Sequence, residues 1–110
     1  MAIVMKKLHL ALGVENLEAT VADYSQRFGQ PPTLVIPATY ALWRTETLNI
    51  SVRQVAAPQG GPLRHLGWED DQAAEFSQDT DCNGIVWEHF TAAQQAAEIA
   101  ALWPDGSDGH

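Results

Sequence analysis

Early in the chain the hydrophobic pattern changes period, and that change restricts the fold more than anything else in the sequence. Residues 7–14, Lys-Leu-His-Leu-Ala-Leu-Gly-Val, alternate with period two. Leu8, Leu10, Leu12 and Val14 share one side, and His9, Ala11 and Gly13 share the other. Beyond Glu15 the period lengthens, and Leu17, Val21, Tyr24 and Phe28 fall at i, i+4, i+7 and i+11, one stripe of a helix. Asn16 is placed to cap that helix, and Glu18 lies in its first turn, where the dipole favours negative charge. Gly29 stands at the C-cap glycine position and Pro31-Pro32 block continuation. A strand with one apolar side followed at once by a helix with one apolar stripe is a β-α unit whose helix covers the sheet.

Thr33–Ile36, Tyr40–Arg44 and Thr47–Gln54 read as short strands, joined by turns at Pro37-Ala38 and Thr45-Glu46. Ala56–Pro62, with Gln-Gly-Gly-Pro, reads as a loop, and Leu63–Glu69 as a strand in which His65 and Gly67 alternate with Arg64, Leu66 and Trp68. Asp70–Gln78 has the composition of one or two helical turns. Gly84–Phe90 reads as a strand, and Thr91 with Gln94 forms a capping box that opens an alanine-rich helix ending near Trp103-Pro104. The order β-α-β-β-β, then β-(short α)-β-α, predicts an α+β fold. Its mixed sheet curls into a trough, with the first helix on the outside and an added C-terminal helix. The expected organisation is one domain over residues 1–110, with a polar tail at 104–110.

Charge and cysteine content narrow the partners. Six Lys+Arg against fourteen Asp+Glu give a net charge of −8, which argues against nucleic acid and against an anionic membrane surface. Cys82 is the only cysteine, so there is no internal disulfide and no CxxC zinc or redox motif. Lys6-Lys7 follow the short apolar N-terminal run rather than precede it, the wrong order for a signal peptide, and the expected compartment is the cytoplasm.

The side of the sheet away from the first helix carries the residues with chemical potential. On the first strand its only side chain larger than alanine is His9; on the fourth it carries Asn49, Ser51 and Arg53; on the fifth, His65; and near the end, Glu88. Two imidazoles and a carboxylate from separate strands form a His2Glu donor set with positions left for water or substrate. Fe(II), Mn(II), Zn(II) and Ni(II) all suit it. Asn49, Ser51 and Arg53 are then placed to orient a small-molecule substrate. His89 should point away from Glu88, and Trp43, Trp68 and Trp87 are divided between core packing and an apolar pocket wall.

Residues 8–29, Leu63-Arg-His-Leu-Gly67 and Gly84-Ile-Val-Trp-Glu88 together resemble the vicinal oxygen chelate superfamily. This group includes glyoxalase I, extradiol dioxygenases, fosfomycin-resistance enzymes and bleomycin-resistance proteins. The resemblance implies a βαβββ module at 6–55, an abbreviated second half at 62–103, and a metal held by His9, His65 and Glu88. It also implies a homodimer in which His9 of one chain joins His65 and Glu88 of the other. Asn49 falls where glyoxalase I-like members place a carboxylate ligand, which disfavours glyoxalase I activity itself. Only 23 positions separate His65 from Glu88, about half of what a second full module needs. The functional expectations are a metal-dependent lyase, thiol transferase or dioxygenase; a metal-free small-molecule-sequestering dimer; or a structural module.

Overall fold

Alternation and capping set the elements close to where the sequence reading puts them. A computed structural model describes residues 6–56 and 62–104. β1 (Lys6–Val14) leads into α1 (Leu17–Phe28), followed by β2 (Leu34–Ile36), β3 (Tyr40–Arg44), β4 (Leu48–Gln54), β5 (Leu63–Asp70), β6 (Ser77–Thr80), β7 (Val86–Phe90) and α2 (Ala92–Leu102). Asn16 caps α1 by accepting from the Ala19 amide at 2.9 Å, and Gly29 closes it at φ 72°. Thr91 and Gln94 form the expected capping box on α2. Of the expected loop at 56–62 and tail at 104–110, residues 57–61 and 105–110 lie outside the described residues.

The strands form one open, mixed, seven-stranded sheet in the order β2-β3-β4-β1-β5-β7-β6. Its two halves follow the same plan. β1 runs parallel to β4, with β3 antiparallel beyond it; β5 runs parallel to β7, with β6 antiparallel beyond that. The second half lacks both the helix and one strand of the first but keeps its direct parallel pairing, β7 beside β5 as β4 beside β1. The antiparallel β1–β5 ladder joins the halves.

The segment expected as helical turns, Asp70–Gln78, is instead a turn followed by the start of β6. Asp70 accepts the Gln72 amide on its carboxylate at 2.9 Å and the Ala73 amide on its carbonyl at 3.0 Å, an arrangement that competes with helix. Phe76 then stacks on Phe90 with ring centroids 5.3 Å apart, turning the chain back onto the sheet. The β6–β7 connection is organised by Asp81. Its carboxylate accepts from the amides of Asn83 and Ile85 and from the Trp87 indole.

Both sheet faces are covered, by different helices. On the outer face α1 packs Leu17, Val21, Tyr24 and Phe28 against Leu12, Val14, Ala41, Trp43 and Val52. Trp43 is fully buried there, its indole Nε1 without a hydrogen-bond partner among the described residues. This helix does not reach the Leu8–Leu10 end of β1, which is half-buried, or Trp68, which is exposed. On the inner face α2 places Ile99, with Trp103 behind it, against Ile36, Tyr40 and Leu42. The C-terminal helix is therefore a lid on the trough, and His9, Asn49 and Ser51 beneath it are buried. Among the described residues no helix is long and apolar enough to cross a membrane.

One position admits no side chain at all. A Cβ on Gly67 would lie 2.4 Å from the backbone oxygen of Glu88 on the neighbouring strand. Gly67→Ala must push β5 and β7 apart and should lower stability by about 1–3 kcal/mol or more. Gly29→Ala, with open space around it but φ at +72°, should lose about 1–2 kcal/mol through backbone strain alone. Urea titration of both variants checks this, and only Gly67→Ala should also disturb the groups described next.

Candidate metal centre

Strand register lines up a row of residues across the inner face. Arg44 pairs with Asn49, Asn49 with His9, His9 with Gly67, Gly67 with Glu88, and Glu88 with Gln78. The bare Gly67 leaves a gap between His9 and Glu88. His65, two residues before Gly67 on the same strand and therefore on the same face, reaches into that gap. His9 Nε2 lies 3.0 Å from His65 Nε2, His65 Nε2 lies 2.9 Å from Glu88 Oε1, and His9 Nε2 lies 4.0 Å from Glu88 Oε1. Donors bonded to one ion at the usual lengths lie about 3.0–3.5 Å apart when adjacent; the two separations from His65 are close to this and the His9–Glu88 separation is wider. The His9, His65 and Glu88 group could hold a metal ion.

The protons of the group follow from its partners. His9 Nδ1 faces two acceptors, Asn49 Oδ1 at 2.9 Å and the Asn49 carbonyl at 3.1 Å, so Nδ1 carries the hydrogen and donates it. Nε2 is then a bare lone pair directed at His65 and Glu88, the tautomer a metal-binding histidine needs. Burial pushes the His9 pKa below its ordinary value; the Asn49 hydrogen bonds oppose this and the adjacent His65 adds to it. The ring is neutral at neutral pH. Phe90 packs edge-on against it with centroids 5.0 Å apart. The His65 Nε2–H lies between two acceptors, Glu88 Oε1 and His9 Nε2, and so occupies the position a cation would take.

Asn49 is itself fixed from behind. Its Nδ2 donates to Glu69 Oε1 at 2.8 Å and to Gln95 Oε1 at 2.7 Å, and its Oδ1 accepts from Gln95 Nε2 at 3.2 Å. Glu69 is gripped by Arg44 through two bonds, Nε to Oε1 at 2.8 Å and Nη2 to Oε2 at 2.7 Å. Burial pushes the Glu69 carboxyl up, but the Arg44 and Asn49 hydrogen bonds outweigh it and hold the pKa below the ordinary value. A chain of oriented bonds thus runs from Arg44 through Glu69 and Asn49 to His9.

A cavity of about 260 Å³ opens beside the trio. Ser51 and Arg53 line it, as the sequence reading expects, together with His9, His65 and Glu88. Asn49, expected to orient substrate, is fully buried and is not among the lining residues; it orients His9 instead. The three ligand candidates also meet within one chain, whereas the family resemblance implied that two chains would share them. The sheet order explains this: β1, β5 and β7 are consecutive neighbours in one sheet, and the register sets His9, Gly67 and Glu88 in one row with His65 on the same face. Of the tryptophans, Trp43 is core, Trp68 and Trp87 lie near each other on the outer face, and Trp103 is the one that lines the cavity. His89 points outward and pairs with Asp70 at 2.8 Å.

Several contributors escape the sequence reading. Glu69 continues the His65–Gly67 alternation and was legible in principle. Gln95, Glu98 and Trp103 reach the inner face only because α2 folds over it. Tyr40 lines the cavity with its pKa raised to about 12, chiefly by burial and against a hydrogen bond with Ser51, so its hydroxyl stays protonated. Glu98 on α2 has its carboxyl pKa raised by burial and by Glu88. No family model and no curated protein matches the chain.

Asn49→Ala would remove one acceptor from His9 and leave Glu69 and Gln95 short of a buried partner; a loss of about 2–4 kcal/mol is expected in chemical denaturation. Glu69 also sets a pH response. Its folded-state pKa is lowered, so its stabilisation is complete above the ordinary glutamate value and is lost as the pH falls through the folded one. Urea midpoints followed from about pH 7 to about pH 3 should decline more steeply in the native protein than in Glu69→Gln.

Proposed function

We propose that this chain is a divalent-metal-dependent enzyme acting on a small molecule, with His9, His65 and Glu88 as the ligands. The observation that carries this reading is the directed lone pair of His9. A buried imidazole whose other nitrogen is locked by Asn49, aimed at a second imidazole and a carboxylate beside a cavity, is organised as a metal ligand is organised. Two nitrogen donors and one oxygen admit Fe, Mn, Zn or Ni and leave coordination positions for substrate. The ion supplies Lewis-acid polarisation of a substrate oxygen.

The remaining work falls to the chain's own groups. Tyr40 presents a protonated hydroxyl to the cavity throughout the physiological range, a hydrogen-bond donor for oxygen that gains negative charge. Glu98 faces the same space from α2, and its raised pKa brings the carboxyl closer to the range in which a proton is readily given and taken. Ile99, Leu102 and Trp103 cover the cavity from the helix side and limit water. This set suits proton-moving chemistry, a lyase or isomerase reaction.

Protein purified without chelator should carry about one equivalent of divalent metal per chain, measured by elemental analysis, and His65→Ala should abolish it. Chelator treatment of the native protein should lower its unfolding free energy by about 2.7 kcal/mol if the ion had been present at a hundredfold its Kd. A metal-free protein whose stability is unchanged in His65→Ala would instead leave the trio as a buried hydrogen-bonded cluster in a small-molecule binder.

A further inference from the structure

Two arginines line the cavity outside any close ion pair among the described residues, and they arrive there by different routes. Arg53 follows the regular alternation of β4 after Asn49 and Ser51. Arg64 is brought inward by an irregularity. The β1–β5 register shifts so that Ala11 pairs with His65 but Leu12 pairs with Leu63, leaving Arg64 as the extra residue of a bulge. Its stem lies beside Gly13 on the inner face, where a Cβ on that glycine would meet Arg64 Cδ at 3.6 Å. Both arginines line the same cavity as His9, His65 and Glu88.

Neither guanidinium is in a close ion pair, although Arg64 lies in the field of Glu88 and Arg53 in that of Glu98. Among the described residues the arginine ion pairs are Arg27 with Asp23 and Arg44 with Glu69, and neither involves Arg53 or Arg64. This is unexpected in a chain with fourteen acidic groups against six basic ones. The two cations also lie within each other's field: after burial, repulsion from Arg53 is the next cause lowering the Arg64 pKa. Arg53 Cζ lies over the Trp103 ring, 4.8 Å from its centroid, which restrains the guanidinium before any ligand arrives. The arginines balance Glu88 and Glu98 in charge, and a dication at the trio would leave the cavity net positive.

We propose that Arg53 and Arg64 form an oxyanion-binding subsite, and that the substrate is a small organic anion whose carboxylate or phosphonate head group they hold. The second contact in this picture, a further substrate oxygen directed at the ion, rests on the metal reading above; the first does not. Paired guanidinium forks match the planar oxygens of a carboxylate and the tripod of a phosphonate. A cavity of about 260 Å³ falls below the range of drug-sized sites, about 300 Å³ upward, and suits a compact metabolite.

The test is calorimetric titration of the full chain with pyruvate, with methylphosphonate and with uncharged pyruvamide. It is run on protein loaded with Mn(II) and on protein stripped by chelator and then dialysed. At least one anion should bind about tenfold or more tightly than pyruvamide, and the stronger of the two identifies the head group. Arg53→Gln and Arg64→Gln should each weaken anion binding about tenfold, leave pyruvamide unchanged and keep the metal content of the native protein. Equal binding of pyruvate and pyruvamide with methylphosphonate no stronger, no binding of either anion, or arginine variants that bind as the native protein does would each overturn the subsite. The native-protein comparison decides the matter even if a glutamine variant fails to fold. Arginine-dependent anion binding in a protein that takes up no Mn(II), and carries no Fe, Zn or Ni as purified, would retain the subsite and remove the metal reading. Stoichiometric Mn(II) without any arginine dependence would do the reverse.

Discussion

The hydrogen bond from His9 Nδ1 to Asn49 governs the chemistry of the inner face. It decides which nitrogen of the imidazole is free, and it does so from beneath a helix, where no solvent molecule competes for the position. Asn49 can hold this role because both ends of its amide are occupied, the carbonyl by His9 and Gln95 and the amino group by Glu69 and Gln95. A carboxylate at the same place would accept from His9 equally well but could not donate to Glu69. The two acids would then face each other across 2.8 Å in a buried setting. An amide at this position is therefore suited to orienting a ligand rather than serving as one.

The neighbouring of β1, β5 and β7 in one sheet is what makes a single-chain site feasible. β5 pairs directly with β7, as β1 does with β4, and the absent side chain of Gly67 lets the two backbones approach. On the inner face α2 returns over the sheet and closes the trough with Gln95, Glu98, Ile99 and Trp103. Among the described residues the outer face of the second half has no covering helix, and Trp68 is exposed there.

Much of this was legible in the sequence where local rules decide. The period-two run of β1, the cap at Asn16, the αL glycine at position 29 and the Thr91–Gln94 box are local signals, and each is present as written. His9, His65 and Glu88 were singled out by strand alternation, which assigns a face to each residue of a regular strand, together with the family resemblance, which implied a ligand at each of the three positions. What escaped depended on non-local packing. The direction in which α2 folds is set by Ile99 meeting Ile36, Tyr40 and Leu42, and nothing in an alanine-rich helix announces that choice. The bulge that turns Arg64 inward has no local signature. The Asp70 turn replaced a helix because a side-chain oxygen captured the Gln72 amide, a competition that composition does not resolve.

The plane between β1 and β5 is a seam. Asn49 and His9 stand on one side of it and His65 and Glu88 on the other, so the candidate ligands belong to different halves of one sheet. Any ion bonded to all three would act as a rivet through that seam, adding to the backbone ladder and to the Asn49–Glu69 and Arg44–Glu69 bonds that already cross it. Occupancy would then be felt as stiffness well beyond the cavity, in the slowed opening of the β1–β5 amides.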